Sequence, residues 1–97
     1  MANETFDFKT WILGHQSDEY HISQENDQLI KLKTDYGEAS IQFTEIDDNT
    51  IVEFTITFDK DHSVKFYLHF ELNDEDHAKQ LYDEMVETLI DLKDQKT

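Results

Sequence analysis

The stretch NTIVEFTITFDKDHSVKFYLHFEL at residues 49–72 decides the fold. Val52, Phe54, Ile56 and Phe58 alternate with polar residues, and so do Val64, Phe66, Leu68, Phe70 and Leu72. A period of two is what a strand with one buried face requires. Between the two runs, Asp59, Lys60, Asp61, His62 and Ser63 supply turn chemistry at hairpin length. If the apolar sets share a face, Phe58 should oppose Val64 and Phe54 should oppose Leu68, with Glu53 opposite His69 on the other face.

Working outward toward the N-terminus, Ile41 and Phe43 continue the alternation in a strand that begins at Ala39, joined to the next by a turn at Asp47, Asp48 and Asn49. Residues 28–34 and 19–23 read as shorter strands, with turns at 16–18, 25–27 and around Gly37 at 35–38. Phe6, Phe8 and Ile12 suggest a first strand over residues 5–13 that ends at Gly14, although Trp11 falls out of phase with them. Trp11 and Tyr20 read as core or core-edge residues.

Toward the C-terminus the period changes from two to about 3.6 at Asn73. Ala78, Leu81, Tyr82, Met85, Leu89 and Leu92 fall on one helical face, with Val86 and Ile90 at its margin. Asn73 can cap this helix, Asp74, Glu75 and Asp76 suit its positive dipole end, and Lys93 and Lys96 suit its negative end. The fold class that follows is α+β: an antiparallel β-meander of about five to six strands covered on one face by a C-terminal α-helix. Residues 1–97 are expected to form a single domain.

The chain carries 23 Asp and Glu against 8 Lys and no Arg, a net charge of −15 on 97 residues. Such a chain is repelled by nucleic-acid phosphates and anionic lipids and attracted to basic partners. Direct nucleic-acid binding and membrane binding are therefore not expected. The absence of Cys removes disulfide and thiolate chemistry. Residues 1–11 lack the cationic start and apolar run of a signal peptide, and no stretch approaches the roughly 18 apolar residues of a membrane span. A cytoplasmic protein is the expectation. Lys without Arg, together with abundant Ile, Asn, Asp and Phe, is what AT-rich coding tends to give and points to a low-GC bacterium or its phage.

The helix face opposite the apolar stripe carries Asp83, Glu84, Glu87, Asp91 and Asp94, a ridge about 15 Å long at 1.5 Å per residue. Like charges at Asp83/Glu87 and Glu87/Asp91 cost the helix roughly 0.2–0.5 kcal/mol each, and only Lys79 stands one turn from Asp83. These five residues are the candidate partner-binding site, with a basic protein, nucleic-acid-binding in class, as the partner. The expected function is that of a non-enzymatic nucleic-acid mimic, such as a phage or mobile-element inhibitor of a host nuclease. The alternatives are a small antiparallel-sheet chaperone or ligand-binding domain, and a housekeeping domain whose acidity serves solubility.

Other candidate chemistry is weaker. The acidic turns at Asp47/Asp48 and Asp59/Asp61 could imitate calcium ligands, but an EF-hand loop counted from Asp59 needs Gly and Glu where Val64 and Phe70 stand. His15, His21, His62, His69 and His77 contain no i, i+4 pair of the zinc-protease kind. Glu53 opposite His69 could form an acid/base pair, but no nucleophile, oxyanion loop or phosphate-cradling Gly run accompanies it. No catalytic residue, metal or cofactor is assigned. The outer sheet face, with Gln42, Thr44, Thr55, Thr57 and Tyr67 and with Ile46 and Ile51 expected to pair, is polar but mostly uncharged. It suits either solvent or a homodimer through that face.

Overall fold

The computed structural model describes residues 7–15 and 17–95. The order of elements is α1 (Phe8–Leu13), β1 (His21–Asn26), β2 (Leu29–Lys33), β3 (Gly37–Ile46), β4 (Asn49–Phe58), β5 (Val64–Glu71) and α2 (Glu75–Asp91). A 3₁₀ turn over Leu92–Gln95 follows α2 directly. The five strands form one sheet in the order β1-β2-β3-β4-β5, antiparallel throughout. The architecture is α+β, a meander with α2 packed on one face.

Alternation explains the sheet. Inward-facing Ile30, Leu32, Ala39, Ile41, Val52, Phe54 and Ile56 are completely buried, while their sequence neighbours face outward. Against them pack Ala78, Tyr82, Met85 and Leu89 of α2, then Leu92, all buried. Leu81, Val86 and Ile90 lie half-buried at the margins of that stripe. The inner residues of β5, namely Phe66, Leu68 and Phe70, are only partly covered.

From Phe8 to Leu13 the strand expected over residues 5–13 is instead the helix α1, so the sheet has five strands among the described residues. Thr5 and Phe6 lie outside the described residues, as do Gln16 and Lys96. Asp7 caps α1 by accepting from the Thr10 N–H at 3.2 Å and from the Thr10 hydroxyl at 2.7 Å. Phe8 and Ile12, one turn apart, both enter the core, and the Phe8 ring meets Phe43, Phe54, Phe70 and Tyr82. Trp11, out of phase for a strand, is in phase for this helix: half-buried, its ring lies 5.8 Å from Phe8 and 5.1 Å from Tyr82.

Four smaller differences are local. The strand expected at 19–23 begins later, at His21, because the Glu19 N–H is held by the Ser17 hydroxyl. A bulge between Ile56 and Thr57 places Thr57, not Phe58, opposite Val64, whereas Phe54↔Leu68 and Glu53↔His69 pair as the alternation requires. Asp74 rather than Asn73 caps α2, its carboxylate accepting from the Asp76 and His77 N–H groups. Ile46 and Ile51 are not opposed either: Ile46 pairs with Asn49 and Ile51 with Thr44.

The β3–β4 hairpin closes through Asp47 and Asp48, both with positive φ (51° and 70°), as a two-residue turn of type I′ demands. At the other end of β3, Gly37 is buried under the α2 terminus, where a Cβ would collide with the Leu92 side chain and stand 3.0 Å from the Thr57 carbonyl oxygen. Glycine is required there by contact, not by its φ.

Candidate acidic interface

Asp83, Glu84, Glu87 and Asp91 lie on α2 and Asp94 in the 3₁₀ turn beyond it, all five exposed. The buried face of α2 fixes their direction: once Tyr82, Met85 and Leu89 enter the core, residues half a turn away must face solvent. At 1.5 Å per residue the ridge spans about 16 Å, or about one carboxylate per 4 Å of axis. Asp76, seven residues before Asp83, extends the same side by two turns and is also exposed. The sequence reading gave Asp76 only a dipole role, although its i, i+7 spacing was the available signal.

Among the described residues no ion pair compensates this charge along the ridge. The two ion pairs among the described residues are Lys31–Glu38 at 3.2 Å, on the outer sheet face, and Lys79–Glu75 at 2.8 Å. Lys79 reaches back one turn to Glu75 rather than forward to Asp83, and its ammonium lies 5.6 Å from the Trp11 ring centroid. The one side-chain hydrogen bond on the ridge segment joins the Thr88 hydroxyl to the Glu84 carbonyl and leaves the carboxylates unengaged.

The opposite sheet face has a different character. Glu53 opposes His69, but its carboxylate accepts from the Tyr67 hydroxyl at 2.7 Å, so the phenol rather than the imidazole is its partner. That bond to a carboxylate holds the Tyr67 phenol above its ordinary pKa. Ser40, Gln42, Thr55 and Thr57 fill the centre of the face, half-buried by their cross-strand neighbours, while Ile46 and Tyr67 are 53% and 57% exposed.

Asp47 and Asp48 serve the hairpin turn, and Asp61 accepts from both the N–H and the hydroxyl of Ser63, bonds that lower its pKa. Among the described residues no three His, Asp or Glu side chains gather as a metal centre would need, and no helix is long and apolar enough to cross a membrane. An open cleft of about 680 Å³ beside the start of β1 mixes signs, with Asp18, Glu19 and Asp35 facing Lys33 and Lys93 around Tyr20 and Tyr36. Comparison with protein-family models, with curated proteins and with solved structures finds no match.

Proposed function

We propose that this chain is a non-enzymatic interaction protein that presents the α2 ridge to the basic groove of a nucleic-acid-binding protein and occupies it as phosphates would. The observation that carries this reading is a line of five exposed carboxylates with no ion pair among the described residues. Their spacing of about 4 Å per charge compares with 3.4 Å per phosphate along one DNA strand. Carboxylate pairing with Lys or Arg of the partner would relieve the repulsion within the helix and set register, and the net charge of −15 would steer encounter. A nuclease, inhibited when its groove is filled, is the partner class with the clearest benefit.

The test is capture of partners from the source cells by the wild-type chain and by a triple variant carrying Glu84→Lys, Glu87→Lys and Asp91→Lys. The wild type should retain a basic nucleic-acid-binding protein, displace it from DNA or RNA, and lose it steeply as salt rises. Capture that survives the triple reversal, with the helical circular-dichroism signal intact, sinks the proposal. A second reading, a ligand or client bound on the open sheet face, draws on the exposed Ile46 and Tyr67 there. Binding of that kind would change little with salt and would be lost with Tyr67→Asp.

A further inference from the structure

We draw no further inference here: the strongest candidate, the outer edge of β5 at Val64–Glu71, with which no strand pairs among the described residues, carries nothing because nothing in the structure shows what covers it.

Discussion

Gly37→Ala adds a single methyl group at the one place where β3 and the end of α2 touch without room for it. The new Cβ would overlap the Leu92 side chain and press on the Thr57 carbonyl oxygen at 3.0 Å, and Leu92 is itself fully buried, with no open direction to retreat. Overpacking of this kind costs about 1–3 kcal/mol. Against it stands the loss of unfolded-chain freedom when Gly becomes Ala, which stabilises by about 0.4–1 kcal/mol because φ here is ordinary. The net expectation is a destabilisation of about 1–2 kcal/mol, a fall in Tm of roughly 5–15 °C for a chain of this size. Urea unfolding followed by Trp11 fluorescence and by circular dichroism measures it. The clash belongs to a pair, so the decisive comparison is a double-mutant cycle with Leu92→Ala, which alone should cost about 2–5 kcal/mol. With the Leu92 side chain gone, Gly37→Ala should become neutral or mildly stabilising, a coupling of at least about 1 kcal/mol. Should Leu92→Ala not fold, Leu92→Val serves in its place. Equal costs for Gly37→Ala in both backgrounds would refute the account of why glycine stands there.

Asp48→Gly should stabilise the protein by about 0.5 kcal/mol in thermal unfolding, since Asp48 holds φ at 70° in a turn for which Gly is the preferred second residue. Asp74→Ala should cost about 1 kcal/mol while Asn73→Ala is close to neutral, because only Asp74 accepts from the exposed N–H groups of the first turn of α2. Burial, reinforced by the Tyr20 hydroxyl 3.3 Å away, pushes the Tyr82 phenol far above its ordinary pKa. A raised phenol pKa means that its stabilisation is complete below the unfolded value of about 10 and is lost as pH rises beyond it. Stability measured above that pH should fall less steeply in Tyr82→Phe than in wild type, and an unchanged slope would contradict the assignment.

The long periodic elements were readable because their patterns exclude alternatives. Four alternating apolar residues in β4 have no helical interpretation, and the stripe from Ala78 to Leu92 has no strand interpretation. α1 is six residues, too short for period to discriminate, and Phe8 with Ile12 fits either reading. Trp11 out of phase and Asp7 three residues before Thr10 were the signals for a capped helix. The bulge at Ile56/Thr57 was not readable, because it depends on how the turn through His62, at φ 58°, closes the hairpin. On the ridge the acids themselves were legible, and the direction taken by Lys79 follows a rule of order in sequence. The rule that Glu before Lys is the better i, i+4 order favours Glu75 over Asp83, and that is the pair the structure contains.

The meander order has a consequence for how the chain meets its core during synthesis. Every strand pairs with its neighbour in sequence, so each hairpin can close as soon as it leaves the ribosome, without waiting for a distant segment. The α2 stripe that covers Val52, Phe54 and Ile56 is made only afterwards, and about twenty residues at 5–20 residues per second take on the order of 1–4 s. For that interval the nascent sheet has an uncovered aromatic and aliphatic face and an unprotected β5 edge. The acidic helix closes the face when it docks, so the segment that gives the finished protein its most charged surface also ends its period of greatest exposure to misassembly.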